Sequence, residues 1–253
     1  PMPTLNISRR GLSGLLCLAI CLCTSHLSAA DKDAPTGYQA KVPVRGETRL
    51  DWMFALANQS PPQVPESWTK GYQATAQQYE LYVPANYRAK KSYPLILFIS
   101  AGNTPAGRTQ LQTLCREQEV IFASPYEAGN NTPQDRRTRI VLDVLDDVAR
   151  RYRIDPDRTY IGGFSGGGRV ACAIAFALPE YFAGVIPVCA AGDLRDEVWL
   201  KHRTCDRLSA AYVTGETDFN RGEIERFRGP LWADIGLRSK IWLVPKMGHA
   251  IPS

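Results

Sequence analysis

Histidine is scarce in this chain: its 253 residues carry three, His26, His202 and His249. That scarcity leaves little room for a histidine-rich metal centre, and Cys115, Cys172, Cys189 and Cys205 lack the close pairing of a zinc ligand set. Clean apolar runs of membrane-spanning length are missing too. The longest candidate, Leu12–Leu27, is broken by Ser13, Gly14, Thr24, Ser25 and His26, short of the ~20 apolar residues a spanning helix needs. Charge of one sign is weak: a net charge of +5 is too mild to argue for nucleic acid or an anionic membrane as partner. Neither the P-loop lysine pattern nor a G-x-G-x-x-G run is present, so nothing marks a nucleotide site. The 18 prolines are scattered rather than repeated, which excludes a fibrous or solenoid chain.

What is present begins with an export pattern. Arg9 and Arg10 precede the interrupted apolar stretch, and the small residues Ser28, Ala29 and Ala30 follow where a signal peptidase would cut. Residues 1–30 are therefore expected to be a signal peptide, with the mature protein secreted or periplasmic and not stably inserted in a membrane. Cleavage would also remove Cys17, Cys21 and Cys23. In an oxidising compartment the four remaining cysteines could form two disulfides, but Cys172 and Cys189 fall in apolar elements where a free buried thiol is the simpler expectation.

Residues 31–76 read as an extension, polar and broken by Pro61, Pro62 and Pro65, with one short helix over Leu50–Ala57. From residue 77 to the end, apolar runs of strand length alternate with longer amphipathic stretches, the pattern of βαβ units. Strands are expected at Tyr79–Val83, Leu95–Ile99, Val120–Ala123, Thr159–Gly162, Gly184–Val188, Ala210–Thr214 and Ile241–Val244. Helices are expected at Thr109–Gln118, Arg139–Arg153, Gly166–Leu178, Leu194–Arg203 and Gly222–Leu237. In Arg139–Arg153 the apolar residues Ile140, Val141, Val144, Leu145 and Val148 form one stripe, with Asp143, Asp146 and Asp147 off it. The expected fold class is α/β: one mostly parallel central sheet with helices on both faces and no final helix after the last strand.

The chemistry concentrates at Gly162-Gly163-Phe164-Ser165-Gly166-Gly167-Gly168, which holds G-x-S-x-G between an expected strand and an expected helix. A serine lifted above a sheet needs a sharp turn, and small residues two before and two after it keep that turn free of clashes. Ser165 is thus the expected nucleophile. His249 follows the acid candidates in chain order and is the expected base; His202, between Lys201 and Arg203, is expected to be solvated. For the acid that orients the histidine, Asp218 is preferred, with Glu216 and Asp193 as rivals. The oxyanion donors are expected from the N–H of Gly166 and from Gly102 and Asn103 in the loop after Leu95–Ile99.

With these residues quoted, the chain resembles the α/β-hydrolase superfamily, and within it secreted esterases of the feruloyl esterase, acetylxylan esterase and polyhydroxybutyrate depolymerase type. The likeness runs from about Tyr79 to Pro252. It is carried by Tyr152–Gly168, Gly215–Asp218 and Gly248-His249, and departs at Ser100-Ala101, where many relatives have His-Gly. It implies a serine esterase acting on a small-molecule or polysaccharide-linked ester without metal or organic cofactor. Two other readings remain open: a serine peptidase of the prolyl-oligopeptidase type, and an inactive hydrolase fold kept as a binding module.

Overall fold

The computed structural model describes residues 34–64 and 71–253; the expected signal peptide and Pro65 lie outside the described residues. Among the described residues eight strands form one sheet: β1 (Gly37–Pro43), β2 (Gln78–Val83), β3 (Tyr93–Ile99), β4 (Ile121–Pro125), β5 (Ile154–Phe164), β6 (Gly184–Val188), β7 (Ser209–Gly215) and β8 (Arg238–Val244). Their spatial order is β1-β2-β4-β3-β5-β6-β7-β8. β2 runs antiparallel to β1 and β4, and every other neighbour pair is parallel. All seven side chains of β3 are buried, which accounts for its unbroken apolar sequence at the centre of a sheet covered on both faces.

Among the described residues six α-helices flank the sheet: α1 (Trp52–Ala57), α2 (Arg108–Glu117), α3 (Gln134–Arg151), α4 (Gly166–Ala177), α5 (Val198–Arg207) and α6 (Arg221–Ala233). Alternation along the strands splits the core in two. Leu95, Leu97, Ile99, Ile161 and Val185 pack against α3 and α4 on one face. Ile96, Phe98, Phe122 and Val188 meet Cys115 and Leu111 of α2 on the other. After β8 the described residues form loop and turn to Ser253.

Three differences from the sequence reading have physical causes. α3 begins at Gln134, not Arg139, because Pro133 precedes it and its fixed φ suits a helix start. α5 begins after Glu197, not at Leu194, because the first N–H groups to bond back, those of Leu200 and Lys201, both reach Glu197 O. The stretch read as an extension contains β1, an edge strand whose alternation is weakened by a register shift between Gln39 and Val42.

The same stretch covers the acidic side of α3. Asp143, Asp146 and Asp147 are 0%, 4% and 1% exposed, although none lies on the apolar stripe. Their carboxylates receive backbone N–H groups of Thr48 (2.7 Å), Arg49 (2.9 Å) and Arg45 (2.9 Å) respectively. Arg139, Arg150 and Arg151 close i,i+4 ion pairs onto Asp143, Asp146 and Asp147. Burial pushes the Asp143 carboxyl above its ordinary range. For Asp146 burial acts in the same direction but is outweighed by hydrogen bonds from Arg49 and the Arg150 charge, so its carboxyl sits lower.

Asp147 also accepts from Tyr79 Oη at 2.7 Å and Arg151 Nε at 2.7 Å. Asp147→Asn would put an amide among three donors and strand the Arg151 charge. We expect a loss of about 3 kcal/mol in unfolding free energy, read as a lower urea midpoint at unchanged slope.

Candidate active site

Ser165 sits between the end of β5 and the start of α4 with φ 53° and ψ −121°, a strained conformation for a residue with a Cβ. Its N–H donates to Val188 O at 2.8 Å, tying the turn to β6. The flanking glycines are required by contact. A Cβ on Gly163 would lie 2.5 Å from the Gly167 carbonyl carbon, and one on Gly167 would lie 2.1 Å from Ile99 O. The strand-end turn can therefore close only with glycine at both places, which is the physical content of the G-x-S-x-G pattern.

His249 and Asp218 reach Ser165 from loops after β8 and β7. His249 Nε2 lies 2.9 Å from Ser165 Oγ, and His249 Nδ1 lies 2.8 Å from Asp218 Oδ1. The three residues thus form one hydrogen-bonded chain, in the order hydroxyl, imidazole, carboxylate. The imidazole is held by aromatic contacts as well: Phe219 stacks on it at 4.1 Å and 28°, and Phe164 lies 4.8 Å away. Phe219 is 78% exposed, so it screens the ring at the surface.

Asp218 is 5% exposed. Its Oδ2 accepts from Thr214 Oγ1 at 2.7 Å and its Oδ1 from Asn220 N–H at 3.0 Å. Burial works to raise its pKa, but donation from Thr214, the Asn220 N–H and His249 prevails and holds the carboxyl below its ordinary range. The rivals go elsewhere. Glu216 Oε2 accepts the Lys246 N–H at 3.0 Å, and Asp193 bonds to the Leu194 N–H and, weakly, to Ser60.

Thr214 and Asn220 were not singled out from sequence, and Cys189 was read there only as a buried thiol. Thr214 faces Asp218 because it stands four residues earlier, at the end of a strand that turns directly into the acid loop; an oxygen-bearing residue at that offset is the only sequence cue. Asp218 contributes stability above the ordinary carboxylate range, and that contribution is lost as pH falls through its depressed folded-state pKa. Thr214→Val removes a donor, so the pKa rises toward its unfolded value and the contribution shrinks. The expected result is a loss of about 1 to 3 kcal/mol at neutral pH and an acid-unfolding midpoint at higher pH, followed by circular dichroism.

Cys189, Asp218 and His249 bring three potential metal-ligating atoms within 4.8 Å of one another. Each is already engaged: His249 Nδ1 and Asp218 with one another, and the Cys189 thiol with Ala250 O at 3.3 Å. Burial, then the adjacent Asp218, pushes that thiol up to about 11, which keeps it protonated and a poor ligand. The cluster fits a proton-bearing network better than a metal centre. Cys115, Cys172, Cys189 and Cys205 are all free thiols.

The loop after β3 approaches the same place. Gly102 N–H donates to Ser100 Oγ at 3.1 Å, so this donor is already in use. Asn103 Oδ1 accepts the Gly129 N–H at 3.1 Å, and Ala101 O accepts the Asn130 N–H at 2.8 Å, which fastens this loop to the β4–α3 loop. Asn130 in turn packs on the turn after Ser165, its Oδ1 1.9 Å from where a Cβ on Gly166 would be. Asn130 was also missed, although Gly129-Asn130-Asn131 is a cluster of turn-forming residues.

No protein-family model matches the chain. NocK of Nocardia uniformis subsp. tsuyamanensis, itself a proposed esterase, is 38% identical over 66 residues, 26% of this chain and 19% of that protein. Among solved structures, a ferulic acid esterase superposes with TM-score 0.57 over 69% of this chain and 85% of its own, at 15% identity. The chain has the α/β-hydrolase fold. A thermostable esterase shares this fold with TM-score 0.51 at 22% identity, over 67% of this chain. The chain spans about half of that esterase (51%) and about a fifth of NocK (19%) in these matches. The hydrolase fold places Ser165 at the carboxyl end of the sheet, where loops from several strands converge.

Proposed function

We propose that this α/β-hydrolase is an exported serine esterase that cleaves a carboxylic ester through an acyl-serine intermediate. The hydrogen-bonded chain from Ser165 Oγ through His249 to Asp218, at 2.9 and 2.8 Å, carries the reading. A serine hydroxyl is a weak nucleophile at its own pKa, and a base within hydrogen-bond reach activates it. In the first step Ser165 Oγ attacks the carbonyl carbon as its proton moves to His249 Nε2, and the carbonyl electron pair moves onto oxygen. Collapse expels the alcohol oxygen, which takes that proton. Water then enters by the same route, giving the acid and the free serine. Asp218 fixes the imidazole with its Nδ1 protonated and steadies the imidazolium.

The developing oxyanion is assigned to the Gly166 N–H and to the Ala101–Asn103 loop, where Gly102 is already hydrogen-bonded to Ser100. An ester is favoured over an amide because the 66 residues matched to NocK belong to a protein named as a proposed esterase. Export rests on Arg9, Arg10 and the small residues ending at Ala30. The substrate class is a small-molecule or polysaccharide-linked ester; neither nucleic acid nor a membrane is assigned as partner. The purified protein should turn over p-nitrophenyl acetate with kcat/KM well above that for a peptide p-nitroanilide. Cleavage of the anilide with no ester turnover would replace this reading with a peptidase.

A further inference from the structure

An exposed aromatic ring lies directly on the proposed base. Phe219 is 78% exposed, and its ring stacks on the His249 imidazole with centroids 4.1 Å apart and planes 28° apart. Exposure alone would carry nothing, since single apolar side chains are common at protein surfaces. Its place in the chain sets Phe219 apart, because the residues on either side are held. Asp218 N–H donates to Gly215 O at 3.2 Å, Arg221 N–H donates to Asp218 O at 3.1 Å, and the Asn220 side-chain amide donates to Cys189 O at 3.0 Å. The turn that delivers the acid to His249 therefore also fixes the backbone of Phe219, and from it a large apolar side chain faces solvent at the site.

The second ring on the imidazole differs. Phe164, 4.8 Å from His249, is half-buried and packs with Met247 and Ile251 against the smaller core cluster. Of these two rings, Phe219 is the one open to an incoming molecule. The reaction brings the alcohol part of an ester to it. His249 Nε2, 2.9 Å from Ser165 Oγ, takes the serine proton and returns it to the departing alcohol oxygen. That oxygen must come within hydrogen-bond reach of Nε2, about 3 Å. The group behind it then leaves past the imidazole, while the acyl part stays on Ser165 Oγ.

We infer that Phe219 is the specificity residue of the alcohol subsite, and that the esters taken carry an aromatic group on the alcohol side, which lies on the Phe219 ring as His249 protonates the leaving oxygen. This rests on the serine-esterase reading and adds the substrate class. Covering the exposed ring removes its apolar surface from water, and an aromatic partner gains further from offset or edge-on contact.

The test moves one phenyl group across the ester. Benzyl acetate and methyl phenylacetate are isomers that carry it on the alcohol and the acyl side, and ethyl acetate has none. The readout is kcat/KM of each ring-bearing ester over that of ethyl acetate, for wild type, Phe219→Ala, Phe219→Leu and Phe219→Trp. Any effect exerted through His249 on all three esters cancels in these ratios. The inference expects a benzyl-to-ethyl ratio well above one in wild type, a fall of about 10-fold in Phe219→Ala, a smaller fall in Phe219→Leu and retention in Phe219→Trp. The methyl phenylacetate ratio should stay constant throughout. Because the ring is exposed, the variants should keep thermal midpoints near that of wild type. A benzyl-to-ethyl ratio at or below one in wild type, one that Phe219→Ala leaves unchanged, or an equal fall in both ratios overturns the inference. So does a wild type that turns over p-nitrophenyl acetate but not benzyl acetate, and in each of these cases p-nitrophenyl acetate turnover leaves the esterase reading standing. No turnover of any ester, p-nitrophenyl acetate included, overturns both.

Discussion

Ser165→Ala should lower kcat for p-nitrophenyl acetate by about 10⁴- to 10⁶-fold, because nucleophile and base act as a unit and removing either loses nearly the whole effect. The substitution keeps the turn. Ser165 N–H still donates to Val188 O, and the strained φ of 53° is set by the turn rather than by the hydroxyl. The Oγ has His249 Nε2 as its hydrogen-bond partner, so its removal should leave the thermal midpoint near that of wild type. Loss of turnover at unchanged stability is the expected result. Residual hydrolysis within tenfold of wild type, in a preparation free of other esterases, would show that the hydroxyl does not carry the reaction.

Asp218→Asn is expected to reduce kcat by about 10⁴-fold. The carboxylate now accepts from His249 Nδ1, from Thr214 Oγ1 and from the Asn220 N–H. An asparagine amide facing Nδ1 would donate to it, moving the ring proton to Nε2, where it can no longer accept the proton of Ser165 Oγ. The geometry survives while the tautomer is wrong, so the loss should fall on kcat with little change in KM. Glu216→Gln is the matched control. Its carboxylate binds the Lys246 N–H away from His249, and activity should stay near wild type. A larger loss in Glu216→Gln than in Asp218→Asn would reverse the assignment of the acid.

The sheet was legible because β3, β4 and β6 are short runs buried on both faces, the signature of central parallel strands, and shorter apolar runs mark the other strands apart from β1. β1 was not legible, since an edge strand with one covered face and a register shift carries no comparable run. Asp143, Asp146 and Asp147 were equally opaque. A helix wheel separates them from the apolar stripe correctly, but whether that side meets water or another segment depends on residues about a hundred positions away, Arg45, Thr48 and Arg49.

At the site, Ser165, His249 and Asp218 could be read from local pattern and chain order, and the structure brings those three together. Ordering rules constrain which residue types appear and in what sequence. They do not reveal supporting contacts such as Thr214 on Asp218 or Asn130 on Gly166, which depend on the path of each loop. The oxyanion loop shows the same limit: a run of small residues announces a tight turn, yet the sequence does not say that Ser100 Oγ occupies the Gly102 N–H.

The most direct test of the account is covalent labelling of the purified protein with a fluorophosphonate probe, followed by mass mapping of the modified residue in wild type, Ser165→Ala and His249→Ala. The account predicts one adduct per chain, on Ser165, absent from Ser165→Ala and strongly slowed in His249→Ala. A folded wild-type protein that takes no label, or takes it elsewhere than Ser165, would contradict an activated serine and return the fold to the reading of a binding module.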